Sequence, residues 1–339
     1  MTTEYYYEQL DREGKSAYHA IYEGLTDISP SFAVPRLSDQ ELSDIYFKIR
    51  MDHPEIFYTV KYKYRFYRNS EHIELLPEYI YSGAAIREQK NALESRLRKL
   101  TRPAQALSEA EKERYIHDFI CRNIHYDKLK KPYSHEIIGS LGQGVAVCEG
   151  IAKAVKILCD RLGLWCIVVL AENNPDKGIK YRHAWNLIRI GGKLYHLDAT
   201  FDLSLTQGEP VRYDYFNLSD KQIFRDHEPA VYPVPVAGDS DGFYYREKKL
   251  SFTRQEDVEK RIDQAARKKR ILVFHWRGGY LTREMVERFV KVTEEAARGT
   301  QCYAAVSVNW PQAVMKIEFK KEKPEFELRT EQANEGEEE

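Results

Sequence analysis

Gly144-Val145-Ala146-Val147-Cys148-Glu149-Gly150-Ile151-Ala152-Lys153-Ala154 is the stretch on which the reading of this chain turns. It is a loop feeding into an amphipathic helix. After Cys148 the apolar residues Ile151, Val155, Leu158, Cys159 and Leu162 recur at helical spacing, and Gly163 follows as a stop. Cys148 is therefore expected in or beside the first helical turn. There, unpaired N–H groups and the helix dipole favour an anion, here a thiolate. Glu149 acts weakly the other way: its charge suits a first turn but neighbours the sulfur.

Two further residues are tied together by a hairpin. Residues 184–190 (Ala-Trp-Asn-Leu-Ile-Arg-Ile) and 193–198 (Lys-Leu-Tyr-His-Leu-Asp) flank Gly191-Gly192, a two-residue turn signal. If those glycines are the whole turn, Ile190 pairs with Lys193. Counting outward then sets Trp185 opposite Asp198 and His183 opposite Thr200. Side chains alternate along strands, so these four share one face. His183 and Asp198 become diagonal neighbours, with backbones roughly 7–8 Å apart. An Asp so placed can orient an imidazole whose other nitrogen takes a thiol proton. A slip of one residue would put the two on opposite faces. Thr200 and Asp202 read as caps after the strand, and His196 as a structural residue pointing away from the active face.

Three motifs in order carry a resemblance. Cys148-Glu149-Gly150-Ile151-Ala152, His183-Ala184-Trp185-Asn186 and Tyr195-His196-Leu197-Asp198-Ala199-Thr200-Phe201-Asp202 resemble the motifs of the transglutaminase-like superfamily. His117-Asp118-Phe119-Ile120 with Tyr126-Asp127, and Tyr213-Asp214-Tyr215-Phe216-Asn217, resemble bacterial members, and the likeness covers roughly residues 108–228. The resemblance implies an α+β, papain-like fold with the nucleophile's helix packed on an antiparallel sheet. It also implies Cys148 as nucleophile, His183 as general base and acid, and Asp198 as the residue orienting His183. The Cys148 N–H is the default oxyanion donor, with Gln143 or Tyr126 as candidates for a second. Trp185 could shape the substrate cleft, with a core aromatic as the alternative. The implied activity is acyl transfer on amide or peptide bonds of a protein or peptide substrate. Peptidase-like hydrolysis is favoured over protein-glutamine cross-linking, and a catalytically silent binding module is the third reading.

Composition limits the remaining classes. Lys plus Arg total 52 against 53 for Asp plus Glu, so no global charge points to nucleic acid or anionic membrane. The longest apolar run, Leu164 to Ala171, is too short to cross a bilayer. The opening Met1-Thr-Thr-Glu-Tyr-Tyr-Tyr lacks the marks of a signal peptide, and five scattered cysteines (121, 148, 159, 166 and 302) suit a reducing cytoplasm. No cofactor and no metal are implied. There are no paired zinc-type cysteines, and Asp239-Ser-Asp241-Gly242 lacks the ligands of a calcium loop.

Four regions are expected. Residues 1–100 form an N-terminal α/β accessory region, with helices near 4–24, 39–51 and 85–100 and strands at 57–66 and 73–81. Twelve of the 24 tyrosines fall in its first 81 residues, which points to a small aromatic core more than to an exposed recognition surface. Tyr58, Val60, Tyr62, Tyr64 and Phe66 share one strand face. Residues 101–238 form the catalytic core. Residues 239–328 form a small α+β domain, with helices at 255–268 and 283–298 and strands at 271–275, 303–308 and 315–319. The acidic tail 329–339 reads as disordered.

Overall fold

The structure is a computed structural model that describes residues 3–322, apart from Gly178, Lys180, Tyr181, Gln207 and Glu209. The acidic tail lies outside the described residues. One compact unit ends at Tyr244 and a second begins at Tyr245.

The first unit opens with α1 (Tyr5–Glu8), α2 (Arg12–Thr26), β1 (Phe32–Pro35) and α3 (Asp39–Asp52), the last started by a Ser38/Glu41 capping box. β2 (Thr59–Phe66), β3 (His72–Tyr79) and α4 (Gly83–Thr101) follow, and the three strands form a sheet in the order β1-β3-β2. Tyr6, Tyr18, Tyr46 and Tyr58 are buried, as an aromatic core requires. Tyr64 and Phe66 are exposed instead, on the edge strand of this sheet, where the Tyr64 hydroxyl donates to Asp39 at the start of α3. Asp52 fastens α1 by accepting from the amides of Tyr6 (3.2 Å) and Tyr7 (2.9 Å) and from the Tyr18 hydroxyl (3.0 Å). The Tyr6 hydroxyl in turn donates to the Val168 carbonyl at 2.5 Å, so residues 1–100 pack into the same unit as the region after them.

The remainder of this unit runs α5 (Glu109–Asn123), β4 (His125–Tyr126), β5 (Val145–Ala146), α6 (Cys148–Leu162), β6 (Cys166–Ala171), β7 (His183–Ile190), β8 (Lys193–Leu197), α7 (Ala199–Leu205), β9 (Phe216–Leu218) and α8 (Asp220–Ile223). β6-β7-β8-β9 is an antiparallel sheet, and α6 packs on it. The side chain of Asn186 stitches the two layers, donating to the carbonyls of Ala152 (2.9 Å) and Ile167 (3.2 Å). Gly191 and Gly192 both have positive φ and turn the hairpin. The register runs from Ile190↔Lys193 to Asn186↔Leu197. β8 then stops. Asp198 caps α7 by accepting from the amides of Thr200 (2.8 Å) and Phe201 (3.1 Å), so Thr200 lies in a helix and not on a strand opposite His183.

α6 is buried on nearly every side rather than along one stripe. Lys153 is tolerated there because Glu136 (2.9 Å) and Glu149 (2.8 Å) neutralise it, and Lys156 because Asp160 does (2.5 Å). A second buried polar cluster joins the outlying motif residues. His117 meets Asp202 at 3.0 Å, Asp202 accepts from the amides of Asp214 and Tyr215, and the Tyr213 hydroxyl donates to Asp118 at 2.6 Å.

α9 (Tyr244–Glu247) leads into the second unit, where β10 (Ser251–Phe252), α10 (Gln255–Lys268), β11 (Leu272–Trp276), α11 (Arg283–Gly299), β12 (Tyr303–Asn309) and β13 (Val314–Lys320) follow. Its sheet has the order β10-β11-β13-β12, and Val258, Ile262, Phe274, Phe289, Met315 and Ile317 fill its core.

Gly150 explains part of the motif at the head of α6. A Cβ at this position would sit 2.2 Å from the Ser134 carbonyl oxygen, which is main chain and cannot swing aside. Gly150→Ala is expected to destabilise the protein by about 1–3 kcal/mol, the usual cost of forcing a methyl into a packed site. A lowered denaturant midpoint with unchanged slope would register it; an unchanged midpoint would contradict the packing described.

Candidate active site

Cys148 is the first residue of α6 and is half-buried; the other four cysteines are buried. Val147, at the N-cap, supplies no side-chain cap. The first-turn amides thus keep no side-chain acceptor of their own, and the partial positive charge of the helix start faces the sulfur. Glu149 does less against this than its position suggests. Burial opposes its ionisation, but Lys153 (2.8 Å), His135 (3.1 Å) and Arg50 (4.0 Å) hold its carboxyl well below the usual range. Its charge is met by those partners.

His183 opens β7 beside Ala171 of β6. Its Nε2 lies 2.7 Å from Asp198 Oδ2, and the imidazole lines one cavity with the Cys148 sulfur, which is close enough to raise its basicity. With Nε2 taken by the carboxylate, Nδ1 is the nitrogen left for sulfur. Burial alone would pull the imidazole down. The charge and hydrogen bond of Asp198, with the sulfur adding to them, outweigh burial and push it up to about 10. Asp198 is fully buried, which opposes ionisation, yet the His183 charge and the hydrogen bonds of two histidines hold it well below the usual carboxylate range.

The second of those histidines, His227, was not singled out in the sequence. Its Nε2 lies 2.9 Å from the same Asp198 Oδ2, and its Nδ1 lies 2.9 Å from Asp226 Oδ1. Burial lowers its basicity, but Asp198 and Asp226 raise it further, for a net rise. A buried His in Asp226-His227-Glu228 has no local pattern that announces a partner 29 residues away.

Other expected site residues lie elsewhere. Trp185 does share a face with His183, its ring stacked at 5.9 Å, but it is 1% exposed and sits beneath the imidazole rather than in a cleft wall. His227 and Phe201 cover this face. His196 does not point away: it is two residues from Asp198, so the pleat gives both the same face. There its Nδ1 accepts from Trp185 Nε1 at 3.0 Å, while Nε2 meets Asp220 at 2.8 Å. Gln143 is exposed at the end of the turn before Gly144, and Tyr126 is held in the β4–β5 pair. Neither lines the cavity over Cys148.

That cavity has a volume of about 430 Å³. Cys148 and His183 form part of its lining, Leu170 and Tyr232 another, and Asp44 and Phe47 of α3 a third. The contribution of α3 was not legible in the sequence.

Among the described residues, His183, Asp198 and His227 are the one group of ligand-type side chains gathered within 4.8 Å. Their separations of 2.7 and 2.9 Å are hydrogen-bond distances.

Residues 95–199 match the family model described as the transglutaminase-like superfamily, and they carry a core of that kind. Its α+β layers, with α6 and Cys148 at its head on an antiparallel sheet, are the papain-like arrangement that the resemblance implied. No curated protein matches the chain. Among solved structures, one described as a TGase is 16% identical, over 45% of this chain and 47% of that one, with a TM-score of 0.29. One from Cytophaga hutchinsonii, described as a candidate cysteine protease, is 14% identical, over 42% and 62%, at 0.27. One from Parabacteroides distasonis, described as a candidate protease, is 16% identical, over 42% and 37%, at 0.25. The chain spans about half the length of the first of these.

The raised His183 has a consequence for stability. The folded protein holds this proton up to about pH 10, whereas a free imidazole releases it near 6.5. Its stabilisation is complete below about 6.5 and is lost as pH rises through about 10. Denaturant midpoints taken across that window should fall more for the native protein than for His183→Gln. Parallel curves would contradict the ion pair.

Proposed function

We propose that this protein is a thiol-dependent acyltransferase acting on amide or peptide bonds of protein or peptide substrates, with water as the usual acceptor. The observation that carries the proposal is the placing of Cys148 and His183 on one cavity of about 430 Å³, with His183 bound to buried Asp198 at 2.7 Å.

The chemistry follows from the charges. The Cys148 thiolate adds to the substrate carbonyl, and the oxygen that gains the electron pair is met by the Cys148 N–H at the uncapped helix start. His183 passes its proton to the departing nitrogen, the C–N bond breaks, and an acyl-enzyme remains. Water then gives a proton to His183 and attacks the thioester; collapse expels the thiolate and restores the ion pair. Asp198 holds the ring through both halves and stabilises the imidazolium.

Cross-linking remains the second reading, on a different basis from the one the sequence suggested. A lysine acceptor needs an aromatic-lined approach. Trp185 is buried, but Phe47 and Tyr232, stacked at 6.0 Å in the cavity wall, offer such a surface. Among the described residues no helix is long and apolar enough to cross a membrane.

Incubation with a glutamine-containing peptide and a fluorescent primary amine separates the two. Release of ammonia or new peptide ends should exceed amine incorporation and vanish in Cys148→Ala. Asp198→Asn should lower the rate by about a thousand-fold or more, as expected for a histidine left in the wrong tautomer. Amine incorporation faster than hydrolysis would reverse the order of the readings. Turnover unaffected by Cys148→Ala would remove both.

A further inference from the structure

His227 has both ring nitrogens against carboxylates: Nε2 is 2.9 Å from Asp198 Oδ2, and Nδ1 is 2.9 Å from Asp226 Oδ1. A neutral imidazole has one N–H and one lone pair. Whichever tautomer it adopted, a lone pair would face a carboxylate oxygen in a buried site. Only the imidazolium donates to both. Asp226 is itself held as an acceptor on its other side, where the Tyr215 hydroxyl donates to Oδ2 at 2.5 Å.

The charge has one close titratable target. The His183 and His227 rings are 5.2 Å apart by centroid and share a single oxygen of Asp198. The groups facing His227 are Asp198 at the head of α7, His183 at the start of β7, Asp226 beside it, and Tyr215 before β9; His196 of β8 stands behind Trp185. Two carboxylates hold the proton on His227 and one imidazolium opposes it.

We propose that His227 is a positioning residue that is positively charged at neutral pH: it pins the Asp198 carboxylate and draws part of that carboxylate's field away from His183, so that His183 can release its proton to a leaving amine. Only the last clause rests on the function proposed above; the charge and its effect on His183 stand on the geometry alone. Without His227, the full field of a buried carboxylate would fall on His183. That ring would be a weaker acid at the step where the C–N bond breaks.

The test is nitrogen-15 NMR of the full chain with labelled histidine. At pH 7 the His227 nitrogens should both show the shifts of protonated imidazolium. His183→Gln keeps an N–H for Asp198 and removes the neighbouring charge. The coupling between two charged rings is mutual, so the titration midpoint of His227 should lie about one pH unit or more higher in the variant, the size expected for a charge about 5 Å away in a partly buried site. A packing role alone would leave that midpoint unchanged. Neutral His227 shifts at pH 7 in the native protein, or an unaltered His227 midpoint in the variant, would overturn the proposal; if the variant does not fold, the native His227 shifts decide it. Neither reading uses turnover. A charged His227 in a protein whose Cys148 does no chemistry would therefore sink the function and leave this inference intact.

Discussion

The site depends on the satisfaction of one buried carboxylate. Asp198 is enclosed, and an ionised carboxylate in that position is costly unless every oxygen is met. Here Oδ1 accepts two amides of α7, and Oδ2 faces two imidazoles. The first pair of bonds ends β8 and starts α7, so the same residue that orients His183 also sets where the strand stops. The second pair ties the β7–β8 hairpin to the chain after α8. Loss of the carboxylate would take that bond from both histidines and the cap from α7, and would free His183 to turn away from its present orientation.

Around this centre the N-terminal residues are joined to the core by polar contacts that suit a rigid cleft. Glu136 meets Lys153 of α6 and Arg50 of α3, and Glu149, next to Cys148, is shared among Lys153, His135 and Arg50. Charges of this kind would be unfavourable if buried singly; as a network they are matched in sign and fix α3 against the head of α6. Phe47 and Asp44 can then contribute a wall of the cavity over Cys148. The wall facing Cys148 thus includes a helix far upstream of the three motifs.

The parts legible in the sequence were those set by local rules. Gly191-Gly192 announced a hairpin, and counting from Ile190 and Lys193 gave the register as far as Asn186 and Leu197. It also put His183 and Asp198 on one face. Cys148 was placed at a helix start by the apolar spacing that follows it. Errors began where local rules met tertiary ones. His196 is two residues from Asp198 and shares its face, where Trp185 and Asp220 hold it. Thr200 left the strand because an Asp that can cap a helix does so once amides are within reach. Trp185 was open to two readings, and packing under His183 decided for the buried one. His227 and the α3 wall were invisible because each is brought in by chain folding across tens of residues. The exposed end of β2 went unread for the same reason: an alternating strand looks alike whether or not a helix covers it.

The central claim is that Cys148 is an activated nucleophile by virtue of His183. Its most direct test is the rate at which iodoacetamide modifies each of the five cysteines at mildly acidic pH, mapped by mass spectrometry in the native protein and in His183→Ala. Exposure alone would favour Cys148 in both proteins, so the variant carries the decision. The account predicts that Cys148 is labelled well before the others and that His183→Ala slows this labelling sharply while the fold persists. Labelling of Cys148 at the same rate in the folded variant would contradict it.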